Sequence, residues 1–352
     1  MSELLIKSLL AFIVLFSVLN FAALHTWIER KQSAIIQDRI GANRASIFGL
    51  TLFGLFHPLA DAIKMFTKED FVPEGADKTL HALAPFLSVL FAFVAFAAIP
   101  FGSVIYIGGR EISLQVANIN VGLLYTLAMM SMGVYGVVLA GFSSNSNYAF
   151  LGGLRAASQM LSYEIAMGVS LIGLIMVYGT VDLQEIVRRQ GEFHIGPFPA
   201  WGFITQPLAF FIFVTAGIAE SKRIPFDLPE GESEIIGYFV EYSGMKFGMF
   251  MFADFIETIL IACLTTTLFF GGWQVPFVHP PQVYSLGFAL LQILSFILKV
   301  IFFAWLFMTL RWTLPRFRYD QLMRLGWKYM FPLSVGNILV TAIVILFLRT
   351  EG

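Results

Sequence analysis

The sequence predicts an all-α, polytopic membrane protein: about eight transmembrane helices, plus an amphipathic interfacial helix in the first loop. Three observations predict it. Mean hydropathy is +0.79, with 58% apolar residues. Only 13% of the 352 residues are charged, against roughly 25% in soluble domains. Apolar runs of about 20 residues, enough to cross about 30 Å of hydrocarbon as a helix, recur eight times.

The runs fall near 4–27, 81–101, 121–142, 159–178, 201–219, 247–270, 286–310 and 329–348, and residues 1–352 read as one integral membrane domain. The first is too long for a signal-peptide core and lacks a small-x-small cleavage site, so it reads as a retained span. The fifth is the weakest, because "GPFPAW" leads into it and Pro207 lies within it. Between the first two runs, His57, Asp61, Lys64 and Lys68 recur on one helical face. Leu52, Phe53, Leu55, Phe56, Leu59, Ile63 and Phe66 cover the rest. That pattern suits a helix lying at the membrane surface, although a short buried connector has the same length.

Charge distribution orients the chain. Sixteen of the 22 Lys and Arg residues lie in the loops after spans one, three, five and seven. The positive-inside rule puts those loops in the cytoplasm and both termini outside, in a bacterial inner membrane.

Composition also excludes several functions. A net charge of −1 disfavours nucleic-acid binding. Cys263 is the single cysteine, too few for a disulfide framework or a cysteine-ligated iron–sulfur cluster. No two of the five histidines face each other within spans, so bis-histidine haem is not expected. There is no phosphate loop, no C-x-x-C, no H-E-x-x-H and no dinucleotide fingerprint. No metal site and no cofactor of its own are expected.

A charge inside a span costs about 2.5–3.5 kcal/mol on insertion scales, so each one needs a reason. Glu164 lies in span four, Asp254 and Glu257 stand one turn apart in span six, and Lys299 sits in the middle of span seven. Glu241 and Lys246 stand at the mouth of span six. These groups are either structural ion pairs between helices or a chain of protonatable groups partway across the membrane. The loop "AESKRIPFDLPEGESE" adds Glu220, Arg223, Asp227, Glu230, Glu232 and Glu234. Its two prolines restrict the backbone and hold these groups in a defined array. It is either a charge-sensitive switch or a docking surface.

"ERKQSAIIQDRIGANR", "FHPLADAIK", "AESKRIPFDLPEGESE", "VEYSGMKFG", "LFFGGW" and "TLPRFRYDQLMRLGWK" occur in this order over nearly the whole chain. In them the sequence closely resembles the H-subunit family of bacterial NADH–quinone oxidoreductase, respiratory complex I, the membrane component at the junction of its two arms. The resemblance implies a membrane subunit that forms much of a quinone chamber and couples quinone reduction to proton translocation. Quinone is then the substrate, while NADH, FMN and iron–sulfur clusters belong to partner subunits. The expected partners are the peripheral arm carrying the terminal iron–sulfur cluster and neighbouring membrane-arm subunits. Motif by motif, Arg30, Asp61, Glu220, Arg223, Asp227, Glu230, Glu232 and Glu234 match the chamber and its coupling loop. Glu164, Glu241 and Lys299 match the membrane charge path; Asp254 stands at its span-six acid, and Glu257, one turn on, is expected to restore the reach. The chain departs from the family's usual pattern at Ala42, where proline is common, at Asp254, where Glu is common, and at Trp312.

Two other readings remain. The equivalent component of a membrane-bound hydrogenase or formate hydrogenlyase shares this fold but uses no quinone. A stand-alone ion transporter would show broken helices and inverted repeats, and little such symmetry is visible.

Overall fold

In the computed structural model, residues 3–107, 110–192, 194–195, 198–229, 237–276 and 286–350 are described. Among them the chain is overwhelmingly helical, and seven helices are long and apolar enough to cross a membrane. The only sheets among these residues are two short antiparallel hairpins, β1 (Val104–Ile107) with β2 (Arg110–Ser113), and β3 (His194–Ile195) with β4 (Phe198–Pro199).

Helix α1 (Glu3–Ile36) runs nine residues past the apolar segment, since no Gly or Pro interrupts it before Gly41. It buries Val14, Val18, Ala22, His25 and Glu29, a stripe spaced by three or four residues. Helix α2 (His57–Thr67) opens on Pro58, whose missing N–H costs nothing in a first turn. It packs on α1 and α9 and turns Leu59, Ile63 and Phe66 outward. The helix is amphipathic, as expected, but shorter than the pattern: Leu52, Phe53, Leu55 and Phe56 precede it.

Helix α3 (Lys78–Val94) is capped by Asp77, which accepts from Thr79 N (2.9 Å) and Leu80 N (3.1 Å). It packs on α4 (Gly122–Ser143), which packs in turn on α5 (Asn147–Tyr178). A methyl group at Gly136 of α4 would collide with the backbone of Ser88, so glycine sets this close helix approach. Helix α5 begins twelve residues before the apolar run at 159–178. Gly179 ends it in the left-handed conformation (φ 66°), with its N–H returned to Ile175 O.

A short amphipathic helix, α6 (Leu183–Glu192), follows. The expected fifth span is broken into α7 (Gly202–Thr205) and α8 (Pro207–Glu220). Pro207 forces Gln206 out of helical geometry, to φ −138° and ψ 60°. The Gln206 side chain then joins the last helix, donating to Thr341 Oγ1 and accepting from Asn337. At 14 residues α8 is only about 21 Å long, shorter than the hydrocarbon layer.

Helix α9 (Gly244–Phe269) is the most enclosed element and contacts α1, α2, α3, α6, α8 and α10. Helix α10 (Leu286–Thr313) flanks it. The last rod starts at Tyr319, ten residues before the expected boundary. It comprises α11 (Tyr319–Arg324), a π-helical turn (Leu325–Met330) and α12 (Phe331–Thr350).

Candidate functional site: a charged cavity at one end of the bundle

The end of α1, helix α2, the start of α9, the segment 221–223 after α8 and the end of α10 enclose a cavity of about 450 Å³. Its wall is mixed. Ala62, Met65, Met251, Phe252 and Phe255 provide an apolar side, and Glu29, Arg30, Asp61, Lys222, Arg223, Asp254 and Arg311 provide charge.

The charges are matched across long stretches of sequence. Glu29 of α1 accepts from Arg223 at 2.9 Å and from Arg311 of α10. Arg223 also lies over Phe255, 4.1 Å from the ring centre. Arg30 pairs with Asp61 at 2.5 Å on the more exposed rim. Lys222 faces two acids of α9, Asp254 at 2.7 Å and Glu257 at 3.6 Å. All three of those side chains are buried. Burial lowers the Lys222 ammonium's proton affinity, but the facing carboxylates of Asp254 and Glu257 raise it more, leaving it well above the usual lysine range.

The segment after α8 is firmly held. Gln159 of α5 donates to both Ala219 O and Phe226 O at 2.8 Å. Phe226 stacks on Phe317, and Phe317 N donates to Pro225 O. Asp227 pairs with Arg316 at 2.9 Å. Burial pushes the Asp227 carboxyl above its ordinary value, and Arg316 only partly reverses this.

The structure therefore brings together Arg30, Asp61, Arg223 and Asp254 at the cavity wall. Glu257 lies one turn deeper than Asp254. Glu220 is fully enclosed, among the described residues neither of its carboxyl oxygens is hydrogen-bonded, and it is close enough to Glu257 and Glu164 to feel their charge. Glu164 lies beside Ser131 of α4. Asp227 sits on the anchored segment, outside the cavity wall. Glu230, Glu232 and Glu234 lie outside the described residues.

Two expected members of the charge path stand apart. Glu241 is half-buried beside α3, where its backbone carbonyl meets the His81 ring. Lys299 donates to the carbonyls of Phe270, Gly272 and Gln274 at 2.7–2.9 Å and lies over Trp201, 4.7 Å from its ring centre. It caps the far end of α9, about 20 Å along that helix from Glu257.

Sequence reasoning did not select Glu29, Lys222, Arg311 or Arg316. All four lie inside or beside the motifs that carry the family resemblance, but their partners are up to 282 positions away. The available signal was an acid or base at the edge of an apolar run, where charge is costly.

The long apolar helices, with a cavity of paired charges at one end of the bundle, define an integral, multi-pass membrane protein. The family described as NADH dehydrogenase matches residues 9–342. The chain is 45% identical to an NADH-quinone oxidoreductase H subunit of Cytophaga hutchinsonii over 346 residues, covering 98% of each. It is 48% identical to an H subunit of the same enzyme from Geobacter sulfurreducens, over 95% of each chain. Against the H subunit of Thermomicrobium roseum it is 43% identical, over 97% of this chain and 96% of that one. The chain belongs to the H-subunit family of NADH-quinone oxidoreductase. It is a membrane component of that enzyme, complex I, and other subunits of the complex are its partners.

Proposed function

We propose that the cavity is part of a quinone chamber, and that the buried acids behind it couple quinone reduction to proton translocation. One observation carries this reading: the cavity wall ends in Lys222 and Asp254, and Glu257 and Glu220 lie directly behind them.

Each part has a chemical role. The apolar side would hold a quinone by its ring and tail, and the rim pair Arg30–Asp61 would orient its carbonyl end. Electrons would come from a redox centre in a partner subunit docked over this end; NADH, FMN and the iron–sulfur clusters would all belong to partner subunits. Reduction draws protons and alters charge at the wall. The acids Asp254, Glu257, Glu220 and Glu164 would pass that change into the membrane. Glu230, Glu232 and Glu234 would extend the same array. The cavity end would face the cytoplasm of a bacterial inner membrane. Counting α8 as a span gives eight crossings, so both termini would lie on the opposite face.

Filling the cavity tests the reading. In assembled complex, Met251→Trp should raise the quinone KM about tenfold, a difference of about 1.4 kcal/mol, while NADH oxidation by a water-soluble artificial acceptor stays unchanged. An unaltered quinone KM would sink the proposal.

A further inference from the structure

We propose that Lys222 is a positioning residue that shares one ammonium between Asp254 and Glu257, and that its move from one to the other carries a charge change from the cavity wall into the membrane. This rests on the quinone-chamber reading and adds a residue that the sequence did not place in the charge path.

The geometry supplies one cation for two acids. Lys222 Nζ is 2.7 Å from Asp254 Oδ1 and 3.6 Å from Glu257 Oε2, so it is tight on the first and within reach of the second. The acids are three residues apart on α9 and share a face. Asp254 lines the cavity, and Glu257 does not. Lys222 is thus the contact between a group that meets the cavity's contents and one that does not.

The backbone fixes this arrangement. Lys222 has φ 54°, in the left-handed region, which is strained for a side-chain-bearing residue. The two hydrogen bonds from Gln159 hold the chain on either side of it, at Ala219 and Phe226. The lysine root is therefore stationary while its long side chain can swing. Among the described residues its other charged or titratable neighbours are few. The Tyr238 ring centre lies 5.8 Å from Nζ, and Glu220 is enclosed two residues before. Arg223 is turned away onto Glu29.

The step balances with one O–H bond. A hydronium on the cavity side gives its proton to Asp254 and leaves as water. Asp254 becomes neutral and loosens its hold. The ammonium, keeping all three protons, closes on Glu257, now its one charged partner on α9. Loss of the proton from Asp254 reverses the move. No electron is transferred in this step.

The test uses the assembled complex, reading protons moved per electron beside the quinone reductase rate. Lys222→Met leaves two buried acids without their cation and should lower turnover at least tenfold. Glu257→Gln keeps one acid for the lysine, so the complex should assemble and reduce quinone with fewer protons per electron. Lys222→Met with Glu257→Gln removes one charge of each sign and leaves a single acid. It should recover assembly but not the proton ratio. A wild-type proton ratio in Glu257→Gln or in the double variant overturns the proposal, because Lys222 would then only neutralise. Glu257→Gln retains the ion pair to Asp254 and decides the matter if the lysine variants do not assemble. The cavity-filling variant reads quinone affinity and not proton ratio, so failure here is distinguishable from failure of the quinone reading.

Discussion

The two ends of α9 handle a buried positive charge differently. Near its start, Lys222 is answered by the carboxylates of Asp254 and Glu257, and nearby Arg223 and Arg311 are answered by Glu29. Near its far end, Lys299 is answered by three backbone carbonyls and the face of Trp201. Carboxylates can gain and lose protons, so an ion pair built on them can be remade. Carbonyls cannot, so at Lys299 only the lysine itself can change charge, and it also satisfies the loose carbonyls after a helix end. The comparison contrasts a cation met by carboxylates with one met by carbonyls.

The sharpest way to break it is Glu29→Gln. That change leaves two guanidiniums, Arg223 and Arg311, facing a neutral side chain in an enclosed site. Removing one partner of a buried ion pair costs about 3–5 kcal/mol. The variant chain should be largely absent from assembled complex, as read by the yield on native gels. Near-normal yield would mean that water or a partner subunit already solvates the arginines.

A smaller effect is expected at the other end. Lys299→Met removes the donor to three carbonyls beyond α9, and leaving such groups unmet costs about 1–3 kcal/mol. The melting temperature of the complex should fall by several degrees, with protons moved per electron unchanged. A fallen proton ratio would restore Lys299 to the charge path and erase the contrast between the two ends.

How much of this was legible in the sequence differs by length scale. Local apolarity announced the long helices, and the i, i+4 polar ladder from His57 announced α2. The break at Gln206 was foreshadowed by Pro207. Helix ends were less legible: α1 outruns its apolar segment because nothing breaks a helix before Gly41, and α5 starts at Asn147 in a segment that hydropathy alone does not favour. The site was legible as a list of costly charges but not as a set of pairs. Glu29 meets Arg311 because α1 and α10 lie side by side, and no local pattern encodes that. Lys299 and Glu257 read alike as charges within spans, and only packing separates them.

The smallest expected effect concerns Asp227, on the anchored segment between these regimes. Burial raises its carboxyl above the ordinary value even with Arg316 at 2.9 Å, so the folded state holds this proton more tightly than the unfolded chain does. Linkage gives the sign. The group's stabilising contribution is fully present below the unfolded value and is lost as pH rises through the folded one. Asp227→Asn cannot titrate, so it should flatten the pH dependence of thermal stability over the weakly acidic range. It should also weaken the hold of Arg316 by about 1 kcal/mol or less, since that arginine is a third exposed and screened by solvent. The check is a set of melting curves at stepped pH for both complexes. A slope unchanged by the substitution would mean that Asp227 is ionised throughout, and that its pairing with Arg316 belongs with the fixed contacts rather than with those that respond to protons.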